Sequence, residues 1–372
     1  MKNIILFSFF NSNNIGDKAI SDYFYRSLQS KYNVICCSNE GNFDINGSYE
    51  SERLVFFEKV KRKICIALGI RYQSPLYKIF LKKYKSLLET ADLVILGGGN
   101  LLMDYARKSS SYQKILDYVK VANKKNVSVY ALSIGIGPFA TNRQLEGAVD
   151  VLNMCDYVSF RDQSSYDLYV QNGGNSQRSV VSIDPVFALP QKTIENPVQD
   201  KGISINIIDP FWFGEKYREA VRSAYINFIK HLSDCYPSTN IFLFATEKSD
   251  VAFLNDICRI FEGNDKINEV LVSDLFSLQN LYLSSSLVIG ARMHSLIIAF
   301  ASYVRVIGLS WSQKVDSFFD IIGHSESVVP IEQLGENISY ILDLITKEEQ
   351  WDFDVVRNKA DLLLMRDMKE IE

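Results

Sequence analysis

Short apolar runs rich in Ile, Val and Leu recur along the whole chain, each closed by Gly, Asn, Asp or Ser and most followed by a helical pattern. A strand buried on both faces reads as a continuous apolar run, so this grammar points to parallel sheets built from βαβ units. In the first half the runs predict strands at Asn3 to Phe9, Tyr32 to Cys36, Leu93 to Leu96, Val127 to Ser133, Tyr157 to Ser159 and Val180 to Ser182. Helical patterns fall at Lys18 to Ser30, Ser74 to Glu89, Ser110 to Lys124 and Asn142 to Met154. The grammar restarts with strands at Gly202 to Asn206, Asn240 to Ala245, Glu269 to Leu271, Leu287 to Gly290 and Arg305 to Leu309. Helices are expected there near Glu215 to Cys235, Ser249 to Phe261, Leu275 to Ser284, His294 to Ala301 and Lys314 to Ile322.

With 372 residues the chain exceeds the roughly 250–300 at which a single core stops growing. The proline-bearing stretch after Asp184 lacks a sustained period and reads as the junction. The expected division is a Rossmann-like domain over 1–187, a linker over 188–201, a second such domain over 202–346, and a terminal helix over 347–372 that crosses back.

A formal charge of −4 and a pI near 5.6 provide no basic field for a nucleic-acid backbone, so nucleic acid is not an expected partner. The six cysteines show no C-x-x-C spacing, which fits reduced thiols in a cytoplasmic protein. No run of 18 apolar residues exists, and the N-terminal MKNIILF reads as a strand in place of a leader. Nine basic residues and no acidic one lie between Lys59 and Lys85, interleaved with Ile64, Ile66, Leu68, Ile70 and Leu76. Such a segment suits either an ordinary solvated helix face or peripheral contact with an anionic inner membrane surface.

In parallel α/β sheets, ligands sit at the loops following the strands. The first loop carries Asn13, Asn14, Gly16 and Asp17 before a helix, where backbone N–H groups bind an anion or a sugar oxygen. Asp17 either caps that helix or accepts a proton from a sugar hydroxyl. Gly97, Gly98, Gly99 and Asn100 let backbone and ligand approach, or form a tight strand-to-helix turn, as does Gly135 to Pro138. Arg161 at a strand end suits bidentate capture of a carboxylate or phosphate, or else pairs with Asp162 at the surface. Arg292, His294 and Ser295 follow a strand at the start of an apolar helix, combining a cation, an imidazole able to give or take a proton and a hydroxyl donor. Lys314 lies beyond the next strand, and together with Arg161, Arg292 and His294 it suggests a basic pocket for a small polyanion. No cluster has metal-ligand spacing, so no metal is expected.

Seven motifs then stand in order: N-x-G-D-x-A-I, L-G-G-G, G-x-G-P, F-R-D, D-P-V-F, R-M-H-S and W-S-Q-K-V. The series, from about Asn11 to Val315, resembles the polysaccharide pyruvyl transferase family. The resemblance implies a GT-B-like fold of two facing Rossmann-like domains with a central cleft. It also implies phosphoenolpyruvate as co-substrate with no further cofactor, and a sugar or oligosaccharide acceptor, lipid-linked or free, belonging to a cell-surface polysaccharide or its precursor. By that match Arg161 and Arg292 would hold the donor's phosphate and carboxylate, with His294 as general acid/base. Trp311 stands where the family usually has a tyrosine. The first domain would serve the acceptor and the second the donor, with Asp17 assisting a sugar hydroxyl; an oligomer is compatible with all of this. Two other readings stay open: a GT-B glycosyltransferase using a nucleotide-sugar donor, and a non-catalytic glycan-binding or assembly protein.

Overall fold

The computed structural model describes residues 1–38, 75–190, 201–347 and 350–372. The expected linker therefore lies largely outside the described residues, as do Lys59 to Arg71 of the basic segment. The chain forms two compact units, one of Met1–Ser12, Ile20–Pro185 and Leu363–Glu372, the other of Asn13–Ala19 and Val186–Leu362.

In unit 1 the strands β1 (Asn3–Ser8), β2 (Asn33–Ser38), β3 (Leu93–Asp104), β4 (Ser128–Phe139), β5 (Tyr157–Phe160) and β6 (Ser179–Val181) pair in parallel, in the order β2-β1-β3-β4-β5-β6. The helices α1 (Ile15–Gln29), α2 (Pro75–Leu87), α3 (Tyr112–Lys124), α4 (Asn142–Asn153) and α5 (Gln163–Gln171) alternate with them. The strands are apolar because both sheet faces are covered: Ile5, Val94 and Val129 are all buried. Phe7 stacks on Tyr118 of α3 at 4.6 Å and meets Tyr84 of α2 edge-on at 5.4 Å. Tyr84 and Phe80 thus occupy the core of unit 1 while Lys82, Lys83 and Lys85 face outward. At the described end of the basic segment the three lysines thus face solvent, while Phe80, Tyr84 and Leu88 turn into the core and Ile79 stays exposed.

Unit 2 repeats the plan with β7 (Gly202–Asn206), β8 (Ile241–Phe244), β9 (Ile267–Glu269), β10 (Ser285–Gly290), β11 (Arg305–Ser310) and β12 (Val328–Pro330). All are parallel, in the order β12-β11-β10-β7-β8-β9. Its helices are α6 (Glu215–Cys235), α7 (Val251–Arg259), α8 (Leu275–Leu283), α9 (Met293–Ala301), α10 (Gln313–Ile322) and α11 (Ile338–Thr346), while α12 (Phe353–Lys369) begins in unit 2 and ends in unit 1. Counted within the unit, this is the doubly wound order 3-2-1-4-5-6, whose direction of winding reverses between β7 and β10. In a sheet of this order the loops after those two strands diverge and leave a crevice at their C-terminal ends.

Three expectations need correction. Gly97 to Gly99 and Gly135 to Pro138 are not strand-to-helix turns, because β3 and β4 run straight through them, with register shifts between Gly99 and Leu102 and between Leu102 and Asp104. Gly98 and Gly99 adopt φ of +59° and +72°, and a Cβ on Gly98 would lie 2.2 Å from Ile20 Cγ2. Left-handed backbone under a packed helix admits glycine alone. The third strand of unit 2 lies at Ile267–Glu269, ahead of the expected Glu269 to Leu271, since it pairs only at the sheet edge, where apolar patterning is weak. The terminal helix begins at Phe353 and not at Lys347, and neither α11 nor the three-residue edge strand β12 was anticipated.

Candidate active site

In unit 2 the candidate residues come from the loops after β7, β8, β10 and β11 and from the N-terminal loop. After β10, Arg292 is the N-cap residue of α9 and His294 lies in that helix's first turn. The Arg292 backbone N–H donates to Oδ1 of the buried Asn206 at the end of β7, 3.1 Å away. Its guanidinium donates twice to Asp250, from Nε at 2.9 Å and Nη2 at 2.8 Å, and its Nη1 lies 2.7 Å from Glu247. Asp250 is wholly buried and also accepts from the Asp209 N–H at 3.1 Å. Asp209 in turn takes both arms of Arg218, at 2.7 and 3.1 Å. Burial opposes charge on Arg292, but the hydrogen bonds and charge of Asp250, then the charge of Glu247, outweigh it and hold the guanidinium above its ordinary range. Burial pushes the Asp250 carboxyl up, and Arg292 pulls it partly back. Arg292 is therefore a cation held in place by two carboxylates.

The N-terminal loop completes this region. Residues Asn13–Ala19 belong to unit 2, where Asn14 forms an antiparallel bridge with Glu247 and the Ile15 N–H donates to Thr246 O at 3.4 Å. The α1 cap is Asn14, not Asp17: Asn14 Oδ1 accepts from Gly16 N at 2.8 Å and Asp17 N at 3.4 Å. Asp17 stands partly exposed in the third position of the helix. Gly16 lies against the imidazole of His294 so closely that a Cβ would sit 2.1 Å from His294 Cγ and 2.2 Å from Nδ1. Gly16→Ala is accordingly expected to cost about 1–3 kcal/mol by overpacking and to displace the His294 ring. Denaturant unfolding with the His294 ring resonances as a second readout checks this; unchanged stability and resonances would show that the loop yields without moving the histidine.

After β11, Trp311 Nε1 donates to Ala291 O at 2.8 Å, and the Arg292 guanidinium carbon lies 6.0 Å from the indole centroid. The indole thus pins the residue before Arg292, a bond that a tyrosine hydroxyl would have to make from a different position. Lys314 follows in the first turn of α10. Ser295 departs from the site: it is fully buried, its hydroxyl 2.8 Å from that of the core residue Tyr282, whose O–H also reaches Ser295 O at 2.9 Å.

The remaining predicted residues gather in unit 1. Arg161 ends β5 and is 3% exposed, so it is no surface pair. Its Nη1 donates to Asp184 at 3.2 Å and its Nη2 to Asn100 Oδ1 at 3.0 Å. Asn100 Nδ2 donates onward to Gly137 O at 2.8 Å, and Asp162 caps α5 through the Ser165 N–H at 2.7 Å. A Cβ on Gly135 would meet Asn100 Oδ1 at 2.4 Å and Arg161 Nε at 2.8 Å, so the G-x-G-P glycine makes room for this pair. The structure thus separates the expected residues into an Arg161–Asn100–glycine set in unit 1 and an Asn14–Gly16–Arg292–His294 set in unit 2. Sequence reasoning passed over Glu247, Asp250 and Asn206. The first two follow β8 directly in Thr246-Glu-Lys-Ser-Asp250, so the rule that singled out the other strand-end loops would have found them. Among the described residues no group of His, Cys, Asp or Glu is arranged to hold a metal ion.

Comparison with solved structures defines the class first. A UDP-GlcNAc 2-epimerase from Methanocaldococcus jannaschii superposes with a TM-score of 0.63 at 11% identity, covering 99% of this chain and 100% of that one. The S. aureus MnaA–UDP co-structure gives 0.59 at 11% identity, covering 97% and 91%. The chain therefore has a GT-B-like fold of two Rossmann-like units. Residues 5–313 match the polysaccharide pyruvyl transferase family, and the chain belongs to that family. No curated protein sequence matches it.

Proposed function

We propose that this protein transfers a pyruvyl group from phosphoenolpyruvate to a sugar of a cell-surface polysaccharide or its precursor, forming a ketal and releasing phosphate. The observation that carries this reading is the family match over 5–313, with its Arg-Met-His segment at the winding reversal of unit 2.

In this reading His294 delivers a proton to the methylene carbon of phosphoenolpyruvate, leaving a cationic centre at the carbon bearing phosphate. One sugar hydroxyl attacks that carbon and loses its proton. Phosphate departs with the bonding electrons and takes up the first hydroxyl's proton, and a second hydroxyl attacks the same carbon and returns its proton to His294 as the ketal closes. Arg292, fixed by Asp250 and Glu247, offers its remaining N–H donors without reorganisation as phosphate leaves, and Lys314 brings positive charge to the departing group. Asp17, next to the Gly16 that packs on His294, assists a sugar hydroxyl. Arg161 keeps its proposed role toward the donor only if an anion shares it with Asp184 and Asn100.

The test is a thermal-shift titration with phosphoenolpyruvate beside UDP, on the wild type, His294→Gln and Lys314→Ala. At a hundredfold excess over Kd, bound phosphoenolpyruvate should stabilise the wild type by about 2.7 kcal/mol, with the shift reduced in Lys314→Ala. Phosphate release on adding an acceptor should vanish in His294→Gln while donor binding persists. Stabilisation by UDP and none by phosphoenolpyruvate would replace this reading with a nucleotide-sugar enzyme.

A further inference from the structure

The outward side of α12 carries a self-complementary pattern. The helix turns its other side into the protein through Val356, Ala360, Leu364 and Asp367, spaced three and four residues apart and all buried. Facing away from them, Val355, Leu362 and Met365 are 64%, 68% and 56% exposed. With the exposed Asn358 they recur at the 3-4-3 spacing of heptad positions a and d, so helical geometry alone puts all four in one stripe. Lys369 takes the next a position at the helix end, where its ammonium reaches water, and closes the stripe.

The charges beside the stripe identify what covers it. Asp354 and Asp361 stand at position g along one flank, and Lys359 and Arg366 at position e along the other. In a parallel, in-register pair of helices each g residue faces the e residue five positions further on in its partner. Asp354 would then meet the partner's Lys359, and Asp361 the partner's Arg366, each pair occurring twice by symmetry. An antiparallel pair would set acid against acid and base against base. Among the described residues Lys359 and Asp361 make no hydrogen bond or ion pair. Lys359 has no acidic residue three or four positions away, and Arg357, the one base so placed for Asp361, donates to Ala301 O and Leu189 O. Asp354 accepts from the Tyr303 hydroxyl through Oδ1, and Arg366 donates through Nη2 to Val181 O and Asp367. Each pairing across the seam thus joins a charge that the chain leaves unpaired to one that it uses in part.

We propose that α12 pairs with the α12 of a second copy of this chain, parallel and in register, through the seam of Val355, Asn358, Leu362 and Met365. The apolar groups of the two helices cover one another, and the flanking acids and bases fix direction and register. Two heptads make a small seam, so the dimer is weak and forms only at high protein concentration.

Sedimentation equilibrium on the full chain, from about 10 to about 500 µM, tests the pairing over the range in which an interface of this size associates. The wild type should dimerise there. Leu362→Glu, which puts a charge into the middle of the seam, should weaken the dimer about tenfold or more. Lys359→Glu should weaken it about threefold or more by setting acid against Asp354, and Asp354→Lys/Lys359→Glu, which exchanges the two signs, should restore it. These side chains are exposed, so the variants should melt with the wild type in dilute solution, where all are monomers. Asn358→Cys and Met365→Cys, made separately and oxidised, should each give more disulfide-linked dimer than the wild type, because a parallel pair brings both positions against their own copies and an antiparallel pair at most one. A wild type that stays monomeric throughout, a dimer indifferent to Leu362→Glu or to Lys359→Glu, or crosslinking at only one of the two positions overturns the pairing.

Discussion

Asp250→Ala is expected to lower the stability of unit 2 by about 3–5 kcal/mol, because it strands a buried arginine. Asp250 has no exposed surface, and the Arg292 side chain to which it gives both oxygens is 13% exposed. Removal of both charges from water opposes their attraction: it prevails at the Asp250 carboxyl, which is pushed up, and not at Arg292, whose guanidinium is held above its ordinary range. The intact pair therefore adds little net stability, whereas half of it is expensive. Glu247, at 2.7 Å from Nη1 and 30% exposed, is a partial substitute that keeps the loss at the lower end of this range. Equilibrium unfolding of Asp250→Ala and of Asp250→Leu/Arg292→Met separates the contributions. The double variant should recover much of the loss, since apolar groups of similar volume need no partner. A single variant within about 1 kcal/mol of the wild type would mean that water reaches Arg292 and the buried network does not hold it.

Asp367→Ala is expected to cost about 3 kcal/mol and to loosen the end of α12 from unit 1. This carboxylate is 1% exposed and accepts from Ser182 Oγ at 2.6 Å, Ser159 Oγ at 2.7 Å and the Tyr157 hydroxyl at 2.9 Å, with Ser133 Oγ at 3.5 Å. Burial first, and then the neighbouring Asp367 charge, hold the Tyr157 phenol well above its usual range, so it stays a donor. Removing the one acceptor leaves hydroxyls from β4, β5 and the segment after β6 with no common partner. Hydrogen exchange along residues 353–372 together with denaturant unfolding reads the effect. Protection of that helix equal to the wild type's would show that its apolar contacts alone, Leu364 among them, hold it.

Most strands could be read from the chain because a parallel sheet covered on both faces imposes an uninterrupted apolar run, and few other arrangements do. Ile203 to Ile205 and Leu287 to Ile289 could hardly be anything else. The winding reversal was less legible. Strand order depends on which runs pair across long separations, as β7 does with β10, and no local pattern records that choice. The capping of α1 shows the same limit on a smaller scale. Asn14 and Asp17 are both competent to cap, and the antiparallel bridge of Asn14 to Glu247 places the helix start so that Asn14 does so.

By itself the sequence determined the α/β class, the division into two units, the loops that carry polar and charged residues, and, through seven ordered motifs, the family. The first three follow from composition and spacing along one dimension, where burial and backbone conformation leave direct marks; the family rests on the resemblance of the motifs. Only the tertiary structure decided what each charge faces. It turned Ser295 toward Tyr282 and buried Arg161 on Asp184. It also clamped Arg292 between Asp250 and Glu247, and laid Gly16 against His294. Partners tens or hundreds of residues apart are selected by packing three-dimensional surfaces at close to crystal density, and a linear pattern contains no term for that.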